Sequence, residues 1–424
     1  MREEVMRKFP AEIQALIEKR EEGVEQLAIL SHYWQQHRAD SSTQSLESAS
    51  LCEVSEPQSD YQQLGSMPIV SPVLFKSFSE VPFPAPIDDR FTFIDLFAGI
   101  GGFRIAAQSL GGRCVYSSEW DEQARKSYFI NYGEYPFGDI TLEKTKSYIP
   151  KTFDLLCAGF PCQSFSIAGH RKGFEEARGT LFFEIAEILS RHRPKAFFLE
   201  NVKGLLNHDR GNTIKTILHI LRDELHYVVP DPQTVSAQDF GLPQKRERVF
   251  ILGFRPDQEG EKFAYPRPTG PQRSFGDVKE ENEVSVKYYL STQYLRTLRK
   301  HKARHQARGN GFGYEVIGDD EVANTIVVGG MGRERNLVID HRLQNFVPIT
   351  HIVGEVNREG LRRMTPREWA RLQGFPDQYI IGVSDSVAYK QLANSVAIPA
   401  VEATMREVLK CIQLNKGSDG VERE

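Results

Sequence analysis

From Phe91 onward the chain alternates between two hydrophobic patterns. Short, nearly continuous apolar runs read as strands covered on both faces: FTFIDLF, CVYSSEW, FDLLCAGF, KAFFLENV and RVFILGF. Between them, FRIAAQSLGG, a segment opening at Asp121, and GTLFFEIAEILSRHRP place apolar residues at the three- and four-residue intervals of amphipathic helices. This alternation predicts an α/β fold built on a doubly wound, mostly parallel sheet. After Phe263 it stops. Residues 264–365 hold many glycines, short strand-like pieces and charge, and predict a second, smaller domain. Helical sequence returns at TPREWARL and AVEATMREVL, so residues 366–412 are expected to rejoin the first domain, 87–263, before a tail at 413–424.

Residues 1–86 follow neither pattern. Ile13, Leu16, Ile17, Val24 and Leu27 recur at helical intervals, so one or two helices are expected between Ala11 and His37. The polar, serine-rich stretch that follows has little to bury and reads as a linker or disordered segment, ended by the prolines of VPFPAPIDD. Every chemistry-bearing motif lies beyond Phe91. Deleting residues 1–86 is therefore expected to leave the activity largely intact.

Composition narrows the function classes. The net charge of −4 excludes a wholly basic nucleic-acid coat but not a local basic face. Val284 to Tyr314 is such a stretch, with Lys and Arg but no Asp or Glu. Five cysteines without a C-x-x-C pair argue against a zinc site or a disulfide framework, and no metal is expected. No run approaches the ~18 apolar residues of a membrane span, and the N-terminus lacks an apolar signal core. A cytosolic protein without a membrane partner is expected.

The candidate chemistry sits where strands end. The first strand leads into Asp95-Leu96-Phe97-Ala98-Gly99-Ile100-Gly101-Gly102, a glycine turn that lets backbone approach a ligand at the carboxyl edge of the sheet. About twenty residues on, the second strand ends in Glu119-Trp120, an acid suited to ribose hydroxyls and a ring suited to adenine. Asp139-Ile140 is placed to meet the adenine edge. There is no P-loop lysine motif, so a nucleoside without a phosphate tail fits better, as in S-adenosylmethionine. Gly159-Phe160-Pro161-Cys162-Gln163-Ser164-Phe165-Ser166 brings a thiol to the same edge on a proline-stiffened loop. Glu200-Asn201-Val202 ends the next strand, and Gln244-Lys245-Arg246-Glu247-Arg248 precedes the last, where alternation would put Gln244, Arg246 and Arg248 on one surface.

In this order, and with Gln391-Leu392-Ala393-Asn394-Ser395-Val396 behind them, these motifs resemble those of the cytosine-C5 DNA methyltransferases over about residues 88–412. KYYLSTQYL, GNGFGYEVI and VVGGMGRERNLVIDHR resemble the recognition segment of the HpaII-type modification enzymes, which the family links to CCGG. The resemblance implies a Rossmann-like S-adenosylmethionine fold. It implies Cys162 as the nucleophile that attacks C6 of a flipped cytosine, Glu200 as the acid at N3, Arg248 at O2, and Arg246 supporting the loop or a phosphate. For the cofactor it implies Phe97, Gly101, Glu119, Trp120, Asp139, Ile140, Pro161, Asn394 and Ser395. The usual glycine before Asn-Ser is Ala393 here, a cost only where that position needs a positive φ. For duplex DNA it implies Gln163 and Ser166 on a closing loop, and Thr325, Gly329, Gly330, Arg333 and Arg335 in the small domain, arginine being the usual reader of guanine. A symmetric target suits a monomer acting on each strand in turn, with a cognate endonuclease as the natural companion. Two other classes compete. An RNA-directed enzyme of the same catalytic type is disfavoured by the long small domain, and a catalytically silent DNA-binding regulator by the intact Cys162, Glu200 and Arg248.

Overall fold

The computed structural model describes residues 23–36, 81–161, 181–329, 331–349, 352 and 354–414. The central sheet uses β1 (Phe91–Leu96), β2 (Gly112–Ser118), β3 (Leu155–Gly159), β4 (Ala196–Val202), β5 (Gln233–Ser236) and β7 (Glu247–Phe254), while β6 (Gln244–Lys245) lies outside it. Its strand order is β2-β1-β3-β4-β7-β5. β2, β1, β3 and β4 run parallel; β7 is antiparallel to both β4 and β5. The expected mostly parallel sheet is therefore present, closed on one side by an antiparallel pair. β1 and β3 are buried almost throughout, as strands covered on both faces must be.

Helices α2 (Gly102–Ser109), α3 (Glu122–Tyr132), α4 (Leu181–His192) and α5 (Asn212–His219) connect the strands. Asp121 caps α3 by accepting from the amides of Gln123 and Ala124. Beyond the small domain, α7 (Pro366–Gln373) opens on a Thr365–Glu368 capping box, followed by α8 (Asp385–Asn394) and α9 (Ile398–Lys410). As the chain steps from β1 to β2 on one side and to β3 on the other, a crevice opens at the carboxyl edge between them.

The small domain carries α6 (Thr292–Gln306), β8 (Val316–Ile317), β9 (Ala323–Asn324), β10 (Leu337–Ile339) and β11 (Leu361–Arg363). Its core is shared only in part: Leu290, Leu295, Leu298, Leu337 and Leu361 form one cluster of its own and Val284, Tyr289, Leu343 and Val356 another. Phe275, Val278, Ile317, Ala323, Ile326 and Val338 belong to the same apolar cluster as Phe91, Phe103, Trp369 and Val401. β6 also pairs with β9, Gln244 opposite Ala323. A buried charge cluster adds to the seam. Arg362 lies between Asp340, at 2.9 Å, and Glu368, which it meets through two bonds of 2.7 and 2.8 Å.

Residues 23–36 form α1 (Gly23–Gln36). The helix is built into the catalytic core: Ala28, Ile29, Leu30, Ser31, His32, Trp34 and Gln35 are all buried. Ala28 and Ile29 share a cluster with Ile94, Tyr116 and Phe137. Within residues 1–86, this helix therefore does not stand apart from the catalytic domain. The expected linker lies outside the described residues.

Candidate active site

The register brings the strand ends together: Leu96 pairs with Ser118 and Ala158, Gly159 with Glu200, and Val202 with Arg248. The glycine turn is held tightly. Gly101 has φ +81°, and a Cβ there would come within 2.4 Å of the Tyr132 ring. A Cβ on Gly102 would come within 2.7 Å of Ser395 Oγ. Only glycine fits at either position. The second contact places the Asn394–Ser395 turn directly against the glycine loop. Phe97, between strand and turn, has φ 54°, an uncommon conformation for a side chain of its size and one often found at ligand sites.

Glu119 is nearly buried, with Oε2 accepting from the Gly99 amide at 2.8 Å and Oε1 from the Asp121 amide at 2.8 Å. Burial raises its pKa, and those two amides oppose the rise. Each oxygen keeps lone-pair capacity for a hydroxyl donor. Trp120 is 79% exposed, Asp139 is exposed with Oδ1 on the Thr141 amide, and Ile140 is buried. Beneath the loop, both Asp95 carboxylate oxygens are buried and without a hydrogen-bond partner, and burial raises the pKa of that group. An acid for ribose, an exposed indole and a polar edge along one lip are the set an adenosine needs.

On the other side of the crevice Glu200 lies 3.0 Å from Arg248 Nε. Burial raises the Glu200 pKa; Arg248 and Arg246 act against it without cancelling it. Asn201 donates to the Phe160 carbonyl at 2.8 Å and so ties the end of β4 to the Phe160-Pro161 loop. Pro161 is exposed at the start of that loop. Cys162, Gln163, Ser166 and Gly330 lie outside the described residues, as does the expected closing loop.

Gln244, Arg246 and Arg248 do share one face, with Lys245 and Glu247 exposed on the other, but that face points inward. Gln244 is fully buried, donating to the Leu372 carbonyl at 2.9 Å and accepting from the Ile326 amide at 3.1 Å. Arg246 is buried too and reaches no surface phosphate position; it donates to the carbonyls of Ala393, at 3.2 Å, and Ser395. Burial and the neighbouring Arg248 bring its pKa down to about 9. Of the two expected roles, loop support is the one its contacts match. Gln373, which the sequence reading missed, holds the same turn by donating to Leu392 and Ser395 at 2.7 and 3.1 Å. Asn394 itself is exposed. Ala393 is not among the residues with positive φ, so it carries none of the strain the missing glycine raised.

In the small domain Gly329 is exposed at φ +80° with open space around it. Arg333 is exposed, its guanidinium 5.5 Å from the Tyr389 ring centroid, and Arg335 is exposed 3.7 Å from Glu315. Thr325 Oγ1 donates to the Lys245 carbonyl. On α6, Leu295 and Leu298 face inward, while Arg296, Lys300, Arg304 and, just past the helix, Arg308 follow one another at four-residue spacing in exposed positions.

Known proteins resemble this chain in sequence and in fold. The chain is 66% identical over 322 residues to the Type II methyltransferase M.HpaII of Haemophilus parainfluenzae, covering 76% of this chain and 90% of that protein. It is 39% identical over 331 residues to the Type II methyltransferase M.HhaI of Haemophilus parahaemolyticus, covering 77% and 94%. The crystal structure of the S. pombe Dnmt2 methyltransferase matches at a TM-score of 0.56 and 18% identity, covering 76% of this chain and 99% of that one, a likeness of fold. Among the described residues no helix is long and apolar enough to cross a membrane. The profile of the C-5 cytosine-specific DNA methylases spans residues 91–410, the whole stretch from the first strand to the last helix, and the chain belongs to that family.

Proposed function

We propose that this enzyme is the modification half of a restriction–modification system, methylating the inner cytosine of CCGG as a monomer in the bacterial cytosol, with a cognate endonuclease as its partner. The observation that carries the catalytic reading is Glu200: a buried carboxyl with a raised pKa, beside Arg248, on a strand end tied through Asn201 to the loop that leads to Cys162.

The C5 carbon of cytosine is a poor nucleophile. Addition of the Cys162 thiolate to C6 makes C5 enamine-like, and the ring gains electron density as it does so. Glu200, protonated, donates to N3 and takes up that density. Arg248 donates to O2 and steadies the Glu200 carboxyl. S-adenosylmethionine, when bound, supplies the methyl group for C5. Loss of the C5 proton to a base then expels the Cys162 thiolate and restores the aromatic ring. Phe97, Glu119, Trp120, Asp139, Ile140, Pro161, Asn394 and Ser395 would hold the cofactor. Arg246 and Gln373 keep the Asn394–Ser395 turn in place. The target base has to leave the duplex to meet these groups. Gln163 and Ser166 belong to the segment that would close over it.

For the target, Gly329, Gly330, Thr325, Arg333 and Arg335 are the candidate contacts, with arginine suited to guanine O6 and N7. The test is bisulfite sequencing of plasmid from cells expressing the protein, paired with digestion by a nuclease that cuts unmethylated CCGG. Protection with signal at the inner cytosine supports the reading. Full cutting with signal elsewhere would replace the target and leave the chemistry intact.

A further inference from the structure

β2 is an edge strand, and it delivers Glu119 and Trp120 to the site. An edge strand has outward backbone groups that its own sheet cannot satisfy. At Ser117 the outward carbonyl accepts from the Phe137 amide at 2.8 Å, and Phe137 in turn accepts from the Glu119 amide at 2.9 Å. The outward Ser117 amide donates elsewhere, to His32 Nε2 on α1 at 3.1 Å. His32 Nδ1 lies 2.8 Å from the Ala28 carbonyl and donates there. Nε2 lies 3.1 Å from Glu134 Oε1 as well as from the Ser117 amide; in the neutral ring it is the acceptor the Ser117 amide needs. The imidazole also stacks near Phe137, with centroids 4.7 Å apart.

The surroundings fix this arrangement. Glu134 accepts from Ser117 Oγ at 3.0 Å and from Arg104 at 2.7 Å. Burial works against its ionisation, and the Arg104 guanidinium favours the charged form strongly enough to hold the pKa below the usual carboxylate range. Around His32, Ser31 Oγ accepts from the Tyr135 amide at 2.9 Å, and Gln35 bridges the Ala85 amide and the Gly133 carbonyl. α1 therefore grips both β2 and the segment that lies along it. It does so from outside residues 91–410, the stretch the family profile covers.

We propose that His32 is a positioning residue for the adenosine half of the cofactor site, holding the end of β2 so that Glu119 and Trp120 meet the ribose and adenine; this rests on the reading of Glu119 as the ribose acceptor. The helix is an added brace on a catalytic domain whose own residues leave the Ser117 amide without an acceptor.

Two substitutions separate positioning from simple stability. His32→Gln puts an amide near the place of Nε2 and keeps an acceptor for Ser117. His32→Asn reaches only the place of Nδ1 and loses it. Titration with S-adenosylhomocysteine should show Kd raised about tenfold for His32→Asn, the effect of one buried amide left unpaired, and about twofold for His32→Gln. The kcat at saturating cofactor and the KM for DNA should stay within about twofold of wild type for both. Equal losses in the two variants, a rise in the KM for DNA as large as that for cofactor, or an unchanged Kd in His32→Asn would overturn the proposal. Glu119→Gln provides the reference. If it too leaves Kd unchanged, the ribose reading fails; if it raises Kd while His32→Asn does not, only the brace fails. A measurement on the unaltered protein covers the case in which a variant does not fold. Binding of S-adenosylhomocysteine should slow amide exchange in residues 28–35 along with 117–120, and no change in 28–35 would count against the brace.

Discussion

Replacing Glu200 with glutamine tests the acid assignment with almost no change of shape. In the structure this carboxyl is nearly buried, with Arg248 Nε 3.0 Å away, and its pKa is raised by burial more than the two arginines lower it. Glutamine can still donate to N3 but cannot deliver a proton. A positioned general acid contributes about 10²–10⁴-fold in rate, or ~3–5 kcal/mol of barrier, so single-turnover methyl transfer at saturating DNA and cofactor should fall within that range. The pH profile carries a second signature. The wild-type rate needs protonated Glu200 and ionised Cys162. It should rise until Glu200 begins to ionise, stay level while one fraction falls as the other grows, and decline once the thiol is fully ionised. The Glu200→Gln rate should instead keep rising across the level region and then stay flat. Loss of fold does not explain such a result. A carboxyl whose pKa is raised by folding adds stability below its unfolded pKa, and that stability is lost as pH rises through the folded pKa. At neutral pH glutamine therefore gives up little. A Glu200→Gln rate within about threefold of wild type, with an unchanged pH profile, would refute the assignment.

Cys162→Ser should abolish methyl transfer and preserve DNA binding, because an alcohol is far less ionised than a thiol; unaltered protein should form a covalent adduct with DNA containing 5-fluorocytosine, seen as a gel shift stable to denaturant. Arg362→Met should destabilise the chain by ~3–5 kcal/mol in urea unfolding, since it leaves the buried Asp340 and Glu368 carboxylates without their shared cation. Lys300→Gln and Arg304→Gln should each reduce the slope of log K against log salt by about one, with no change in target preference, as expected for phosphate contacts from the exposed stripe of α6.

The strands of the catalytic sheet were legible because they are buried on both faces and so written as unbroken apolar runs: FTFIDLF, FDLLCAGF and KAFFLENV each end within a residue or two of the observed β1, β3 and β4. Site residues that directly end a strand were legible for the same reason. Once β1, β2 and β4 are drawn, Phe97, Glu119 and Glu200 fall on one edge without any knowledge of side-chain contacts. Alternation held from Gln244 to Arg248 but did not say that the shared face points inward. Gln244 and Lys245 pair with β9 rather than with the main sheet, and Arg246 turns inward to the carbonyls of Ala393 and Ser395, 147 and 149 residues away. No local pattern encodes a partner at that distance. Within residues 264–365, Ile317, Ala323 and Val338 pack into the catalytic core while Leu290, Leu295, Leu298, Leu337 and Leu361 form a cluster of their own, a division that no local pattern encodes.

The role of α1 shows the limit most clearly. Its helical periodicity is visible in sequence, yet periodicity reports only that one face is apolar, not what covers it. Nearly the whole of residues 28–35 is buried, which a helix lying on a surface with one face in water would not show. The polar residues of that stretch give the better signal in hindsight. Ser31, His32 and Gln35 sit among Ala28, Ile29, Leu30 and Trp34, and buried polar groups in an apolar helix must have partners. Here the partners are backbone groups at Ser117, Tyr135, Ala85 and Gly133, the outward-facing amides and carbonyls of an edge strand and its neighbours. A helix rich in apolar residues yet carrying serine, histidine and glutamine on its buried positions is thus read better as a cap for exposed backbone than as a free-standing module. Removal of residues 1–86 would take these partners away from the backbone at Ser117, Tyr135, Ala85 and Gly133.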